Sequence, residues 1–210
     1  MLEFNPDCAA CPRLARFLTN VRRDYPDYHA RPVIPFGDRR ARLLIVGLAP
    51  GLHGANRTGR PFTGDYAGIL LYQTLHKYGL ATRAESIAAD DGLKLKRCRI
   101  TNAVKCVPPA NKPLPEEIKR CNGYLKTELA GMPADTVILA LGRIAHDAVL
   151  RALTLPGKPY RFAHAAEHRL PNEWRLLDSY HCSRYNTNTR RLTTRMFETV
   201  VKRAAKLIGD

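Results

Sequence analysis

The sequence predicts an α/β fold, a three-layer αβα sandwich around a central four-stranded parallel sheet. Four short apolar segments alternate with segments of helical periodicity, and this alternation is typical of parallel sheets joined by right-handed crossovers. The chain has 210 residues, an ordinary length for one domain. It contains no internal repeat or linker that would divide it. We therefore expect a single domain over residues 1–210.

Each predicted strand is one of the apolar segments. In chain order they cover residues 43–46, 98–104, 136–141 and 174–178. Helices are predicted where apolar side chains recur every three or four residues. These segments are residues 8–24, 66–78, 115–129, 142–153 and 190–208. The proline-rich segments and the polar segment after the last strand are expected to be irregular. They cover residues 25–38, 107–115 and 181–189.

A long loop follows the first predicted strand, over residues 47–65, with four glycines after Gly47. A loop of this length in a compact domain is usually either functional or disordered, and its composition favours a function. Glycines let the backbone approach a ligand closely, and Phe62 offers a flat face for stacking. Ligands of parallel sheets bind beyond the carboxyl ends of the strands. The loops after residues 46, 100 and 180 should therefore form one pocket for a planar, partly polar ligand.

The chain is strongly basic, with 34 Lys and Arg against 19 Asp and Glu and a formal net charge of +15. Such an imbalance indicates a polyanionic partner, and basic residues near the pocket loops favour nucleic acid over a role in solubility alone. No apolar run approaches the length of a membrane span. The N-terminus lacks the pattern of a signal peptide, so we expect an intracellular protein that makes no membrane contact.

Six cysteines in an intracellular chain are expected to be reduced. Cys8 and Cys11 form a CxxC pair, and Cys106 and Cys121 are a second, more widely spaced pair. Four thiolates suit zinc or an iron–sulfur cluster, but a CxxC pair alone can also be redox-active or simply lie on the surface. The second pair is too widely spaced for an ordinary zinc ribbon. The residues alone leave these alternatives open.

Several longer motifs, taken together, resemble the uracil-DNA glycosylase superfamily. They are GLAPG at residues 47–51, HGANRTGRPFTGD at 53–65, ITNAVKC at 100–106 and HCSRYNT at 181–187. Their order and spacing extend over nearly the whole chain. The resemblance is closest to the iron–sulfur group called family 5, or type b.

This resemblance implies a monofunctional repair glycosylase that hydrolyses the N-glycosidic bond of uracil in DNA and leaves an abasic site. Other deaminated bases such as hypoxanthine are expected substrates. The resemblance places Cys8, Cys11, Cys106 and Cys121 around one [4Fe–4S] cluster, with zinc as the alternative metal. It implies a monomer in the cytoplasm, associated with the nucleoid. The competing hypothesis is a non-catalytic iron–sulfur module that binds damaged or single-stranded DNA.

The resemblance also assigns roles in the pocket. Asn102 would read uracil O4 and N3–H, or else only cap a strand end. His181 would donate to uracil O2, and Phe62 would stack on the flipped base unless it is a core aromatic. Asp65 would position water or stabilise the sugar cation, or else only cap the next helix. The remaining substrate-binding candidates are Gly47 and Ala49.

DNA contacts are expected from basic and polar residues around the pocket. The candidates are Arg57, Arg60, Ser183, Arg184 and Tyr185, with Lys105 as a further phosphate ligand. Either Arg184 or Tyr185 would fill the gap that the flipped base leaves. His164 and His168 are four residues apart but lie between prolines, so we expect two surface histidines.

Overall fold

The computed structural model describes residues 4–209, which form one six-stranded sheet with seven helices around it. The strands are β1 Phe36–Gly37, β2 Leu43–Gly47, β3 Cys98–Asn102, β4 Val137–Leu141, β5 Glu167–Arg169 and β6 Arg175–Ser179. The helices are α1 Pro12–Asp24, α2 Ala55–Thr58, α3 Tyr66–Lys77, α4 Pro115–Ala130, α5 Arg143–Ala152, α6 Arg184–Asn188 and α7 Thr194–Leu207. A 3₁₀ turn covers Pro109–Asn111.

The predicted α/β class is confirmed, and the predicted four strands form the centre of the sheet. The strand order is β1-β3-β2-β4-β6-β5, and the four central strands run parallel. The strand count was too low because β1 and β5 pair antiparallel at the two edges. These edge strands have only two and three residues, too few for a period-two pattern to be recognised.

Alternating side chains of the central strands form two cores, as a doubly covered parallel sheet requires. Leu43 and Ile45 face the layer of α3 and α7, whereas Leu44 and Val46 face the layer of α4 and α5. A third apolar cluster joins α1 to the segment that follows β3 and to α4. This arrangement brings the N-terminal helix beside the end of β3.

Several boundaries differ from the prediction. Helix α1 begins at Pro12, after the CxxC pair, because proline is favoured in the first turn. The 181–189 segment is not wholly irregular, since it contains α6, whose N-cap Ser183 accepts a hydrogen bond from the Asn186 amide. The long loop after β2 likewise contains the short helix α2.

A buried histidine–aspartate network fastens the segment between α5 and β5 to the sheet. The two ring nitrogens of His146 lie 2.8 Å from Asp178 Oδ1 and 2.8 Å from the Tyr160 carbonyl oxygen. Both neighbours are acceptors, so the ring donates from both nitrogens as an imidazolium. Burial disfavours that charge, but Asp178 outweighs it and raises the pKa of His146.

His168 Nε2 contacts the other oxygen of Asp178 at 3.3 Å, and its side chain is only 14% exposed. Nδ1 of His164 accepts a hydrogen bond from the Tyr180 amide. The expectation of two surface histidines was therefore wrong, because both side chains contact β6 or the residue that follows it. Among residues 4–209, no helix is long and apolar enough to cross a membrane.

The His146 network predicts that stability depends on pH. Because the folded pKa lies above the ordinary value of about 6.5, the stabilisation is complete below pH 6.5 and is lost as pH rises through the raised pKa. We expect His146→Gln to lower the free energy of unfolding by about 3 kcal/mol at pH 6 and by less at pH 9. Urea unfolding followed by circular dichroism measures both values. The exposed-site variant His53→Gln is the control, and equal losses for His146→Gln at the two pH values would contradict the charged assignment.

Candidate functional site

A cavity of about 540 Å³ opens at the carboxyl edge of the sheet, where the loops after β2, β3 and β6 meet. This is the convergence that the sequence predicted. The cavity brings together most of the predicted pocket residues. Those on its wall are Ala49, Phe62, Asp65, Asn102, His181, Ser183 and Arg184.

The floor of the cavity depends on the absence of a side chain at Gly47. Gly47 and Asn102 are the last residues of β2 and β3 and pair directly in the parallel register. A Cβ atom on Gly47 would lie 2.4 Å from Asn102 Oδ1 and 2.6 Å from Phe62 Cζ. Both distances are too short for any real contact, so only glycine lets the amide and the aromatic ring approach this strand end together.

Asn102 carries a buried acceptor without a partner. Among residues 4–209, no donor forms a hydrogen bond with Asn102 Oδ1. Leaving such an acceptor unsatisfied costs about 1–3 kcal/mol. Since Asn102 lines the cavity, a ligand with an N–H group would supply the missing donor. A purely structural strand-end cap would already have its partner within the protein.

Phe62 is both a cavity wall and a core residue, so the two interpretations of it are compatible. It is buried in the α3–α7 core and stacks on the His181 ring, with centroids 5.8 Å apart and planes inclined by 26°. Its φ of 55° is unusual for a residue with a side chain and costs about 1–3 kcal/mol. This backbone conformation is stabilised by the hydrogen bond that the Tyr72 hydroxyl donates to the Pro61 carbonyl. It also requires glycine at position 68, because a Cβ atom there would clash with the Phe62 carbonyl.

Asp65 caps α3 and also lines the cavity. Its Oδ1 accepts a hydrogen bond of 3.0 Å from the Gly68 amide, so the capping role is confirmed. Its Oδ2 faces Gly54, where an added Cβ would lie 2.3 Å away. Burial raises the pKa of Asp65, although the amides of Gly68 and Ala67 partly oppose the shift. One carboxylate oxygen thus holds the helix while the other lies against the pocket loop.

His181 is a neutral imidazole at neutral pH. It lies partly buried against the cavity wall, and this burial lowers its pKa to about 4. Asn186 in α6 donates from Nδ2 to the His181 carbonyl at 2.8 Å, which fixes the backbone of the loop. A neutral ring can donate one N–H bond to a ligand without transferring a full positive charge into the site.

Polar and basic residues surround the mouth of the cavity. Arg184 is exposed, and its guanidinium lies 5.1 Å from the centroid of the Tyr66 ring. Tyr185 is 73% exposed at the start of α6. Arg57 is exposed on α2, with a weak contact of 3.5 Å to the Gly64 carbonyl. These three side chains are accessible to a large ligand at the same edge as the cavity.

Two of the predicted phosphate ligands are buried, so the expectation that they contact DNA was wrong. Arg60 is 4% exposed and is paired with Asp91 at 2.7 Å. Burial disfavours the Asp91 carboxylate, yet bonds from Arg60 and nearby amides prevail and lower its pKa to about 2. Lys105 is 2% exposed and contacts Thr101 and Glu128. The segment that buries Arg60 had no recognisable pattern, so its partner could not be predicted.

Asn111 and His53 also line the cavity, although neither was among the predicted site residues. Asn111 ends the 3₁₀ turn after β3 and has a φ of 56°, following Ala110 at 52°. His53 is exposed and lies 2.9 Å from the Tyr28 hydroxyl through Nδ1. The only sequence signal for Asn111 was its position among prolines, which predicted irregular backbone but no direction for the side chain.

A second cavity, of about 250 Å³, is lined by all four cysteines of the two pairs. Cys8 and Cys11 precede α1, Cys106 follows β3, and Cys121 lies on α4. Burial, reinforced by the neighbouring thiols, raises the pKa of Cys106 to about 12. Cys106 and Cys121 are buried, whereas Cys8 and Cys11 are partly exposed. Four thiols around one cavity suit a positive centre that binds thiolates. Lys105 and Arg120 also line this cavity.

The spacing of the thiols argues against a single small ion. In a tetrahedral zinc site with bonds of about 2.3 Å, the sulfur atoms lie about 3.8 Å apart. Among the described residues, His146, His168 and Asp178 form the one set of three or more candidate ligands within 4.8 Å of one another. The four cysteine sulfurs therefore do not all lie within 4.8 Å of one another and are more widely spaced than the ligands of a zinc site.

Comparison with known proteins gives a consistent result. The sequence profile of the uracil DNA glycosylase superfamily matches residues 34–205. A type-5 uracil-DNA glycosylase of Thermus thermophilus is 47% identical over 207 residues, covering 96% of this chain and 94% of that protein. Proteins of the same name from Mycobacterium tuberculosis and Pyrobaculum aerophilum are 44% and 40% identical. They cover 96% and 97% of this chain, and the matches span 78% and 90% of those proteins.

Proposed function

The chain belongs to the uracil DNA glycosylase superfamily, and on that premise we propose that it removes uracil from DNA. The reaction hydrolyses the bond between the base and deoxyribose and leaves an abasic site. The observation that carries the proposal is the unpaired Asn102 Oδ1 on the cavity wall, beside Phe62 and His181. Relatives named type-5 uracil-DNA glycosylase, similar over nearly the whole chain, support the same conclusion.

Uracil offers the hydrogen-bonding groups that complement the Asn102 amide. Its N3–H would donate to Oδ1, and its O4 would accept from Nδ2. Cytosine presents an acceptor at N3 and a donor at the exocyclic position, so both groups would oppose the amide. Because the acceptor is buried, a mismatched base leaves it unpaired, and such sites discriminate strongly. Ala49 lines the cavity beside the base, and Gly47 keeps the strand end next to Asn102 and Phe62 free of a side chain.

The base must leave the duplex before the amide can read it. Flipping costs a few kcal/mol, and stacking on an aromatic face returns about 1–3 kcal/mol. Phe62 is the aromatic wall for this purpose, and its ring packs against the His181 ring. Arg57, Ser183 and Arg184 would bind phosphates around the mouth of the cavity, in keeping with the net charge of +15. Tyr185, which is 73% exposed, would fill the vacated space in the duplex.

Two side chains would stabilise the charges that develop as the bond breaks. His181 donates to uracil O2, where negative charge accumulates, and a neutral donor fixed in place serves this purpose. The free oxygen of Asp65 would orient the attacking water or stabilise the cationic sugar.

We infer that Cys8, Cys11, Cys106 and Cys121 hold a [4Fe–4S] cluster. The spacing of the thiols supports this over zinc, and the two adjacent cations suit a thiolate-bound group of net negative charge. When bound, the cluster cross-links α1, the segment after β3 and α4, and it has no part in hydrolysis. The proposal further includes a monomeric enzyme in the cytoplasm at the nucleoid, with hypoxanthine as an additional substrate.

The function is tested with an oligonucleotide that contains one uracil. We expect strand scission after alkali, which cleaves abasic sites, for single- or double-stranded substrate. No scission is expected before alkali, because a monofunctional enzyme leaves the backbone intact. A gel shift without scission under any condition would instead support the non-catalytic DNA-binding module and contradict the proposal.

Removing the Asn102 amide should abolish base recognition. Loss of two hydrogen bonds of about 1.5 kcal/mol each lowers kcat/KM on uracil roughly 100-fold in Asn102→Ala. The exposed-site variant Asn188→Ala is the matched control and should retain the wild-type rate. Single-turnover kinetics on uracil-containing duplex measures both. A wild-type kcat/KM in Asn102→Ala would refute the assignment of the amide.

The pH dependence of kcat/KM tests the assigned charge states of His181, a neutral ring, and Asp65, a carboxylate with a raised pKa. Since the pKa of His181 is about 4, kcat/KM should show no transition near the ordinary histidine value of 6.5. The raised pKa of Asp65 predicts that the rate falls on acidification at a higher pH than an ordinary aspartate would give. Asp65→Asn should lower the rate and remove the acidic transition. His181→Ala should lower kcat about 100-fold, because the donor to uracil O2 is lost. A transition near 6.5 that disappears in His181→Ala would contradict the neutral imidazole.

The cluster is tested by elemental analysis of protein purified without air. We expect about four iron atoms and four sulfides per chain. Cys121→Ser should lose iron, whereas Cys98→Ser should retain it, because Cys98 is equally buried but lies in the α3–α7 core away from the cavity. One zinc per chain in a colourless protein would establish the alternative metal.

A further inference from the structure

Among the described residues, Lys105 is the most deeply buried lysine, and it has no role in the proposed reaction. Its ammonium contacts Thr101 Oγ1 and lies 3.5 Å from Glu128 Oε2. The residue lines the cysteine cavity, and its backbone amide donates to Cys121 Sγ at 3.3 Å. A buried ammonium is costly unless an opposite charge compensates it. The ammonium of Lys105 therefore requires a negative charge close to it.

The surrounding residues do not balance this charge. Glu128 already pairs with Arg99 at 2.7 Å, closer than its 3.5 Å contact with Lys105. All three side chains are buried, so two cations share one carboxylate. Among residues 4–209, Lys105 forms no salt bridge with a second carboxylate. One positive charge therefore remains without a carboxylate of its own, on a residue that lines the cysteine cavity.

We propose that Lys105 is the counter-charge of the group bound by the four cysteines and couples that group to the strand end that carries Asn102. The inference rests on the cluster proposed above. Four thiolates and a [4Fe–4S]²⁺ core together carry a formal charge of about −2. Lys105 offsets part of this charge from one side, and Arg120, near Cys11, does so from the surface.

The coupling follows from the contact with Thr101. Thr101 directly precedes Asn102 at the end of β3, and its hydroxyl accepts the hydrogen bond from the Lys105 ammonium. With the cluster bound, the charge of Lys105 is compensated and the ammonium stays buried. Without it, the ammonium would be drawn toward solvent and its bond to Thr101 would break. The geometry of the base-reading amide thus depends on the cluster through one side chain.

The proposal predicts an electrostatic signature in the cluster itself. A nearby cation stabilises the more negative, reduced state of the cluster and therefore raises its reduction potential. In Lys105→Met we expect a more negative midpoint potential and several-fold faster iron release to a chelator. Arg120→Met should show smaller changes in the same directions, because Arg120 is exposed and screened by solvent and salt. Lys105→Arg, which keeps the charge, should bind iron better than Lys105→Met.

The experiment uses the full chain purified without air, with the exposed-site variant Lys126→Met as control. Potentials come from a redox titration followed by electron paramagnetic resonance, and circular dichroism checks folding. In Lys105→Met, KM for uracil-containing DNA should rise more than kcat falls, because the amide that binds the base is displaced. If Lys105→Met binds no iron, retention in Lys105→Arg supports the proposal, and equal loss in both overturns it.

Wild-type values for potential and iron release in Lys105→Met would overturn the proposal, as would equal shifts in Lys126→Met. Wild-type protein without iron would overturn it together with the cluster assignment. Wild-type protein that holds iron but does not excise uracil would refute the proposed reaction alone. In that case the changes in midpoint potential and iron release in Lys105→Met would still test the role of the Lys105 charge. Failure of this proposal and failure of the proposed reaction are therefore distinguishable.

Discussion

The site depends on one steric constraint, the missing side chain at the end of β2. Gly47 pairs with Asn102 across the parallel strands, and Phe62 closes over both. The three groups occupy a space that has no room for a Cβ atom. This contact places a hydrogen-bonding amide next to a stacking face, the combination that a planar polar base requires. The strained backbone at Phe62 and the close approach of Gly68 are further consequences of the same packing.

Much of the fold could be predicted because its determinants are local. The four apolar segments became the four parallel strands, and the carboxyl-edge rule brought three distant loops to one cavity. The edge strands could not be predicted, because β1 and β5 are defined by pairing with a neighbour and not by their own sequence. The same limit applies to α6, whose start at Ser183 is a capping contact within a segment of strongly polar composition.

In the site, the positions of residues at strand ends were predicted correctly, whereas the positions of long charged side chains were not. Asn102 and His181 lie in the cavity because each sits at or just beyond a strand end. Arg60 and Lys105 were expected at the surface, since charge normally indicates exposure. Their burial depends on Asp91 and Glu128, which are 31 and 23 residues away in sequence. Pairings at such separations come from tertiary structure, and local composition carries no record of them.

The position of the cysteine cavity has a physical reason once both sites are considered together. Asn102 ends β3, and Cys106 follows four residues later, so one strand end supplies both the base-reading amide and a thiol. Beyond β3 the chain enters a proline-rich segment whose backbone has few regular hydrogen bonds to hold it. A group that binds Cys106 before this segment and Cys121 in α4 after it, together with the pair that precedes α1, would fix it in place. Asn111, on the same segment, reaches the first cavity, so order imposed at the thiols extends to the pocket wall.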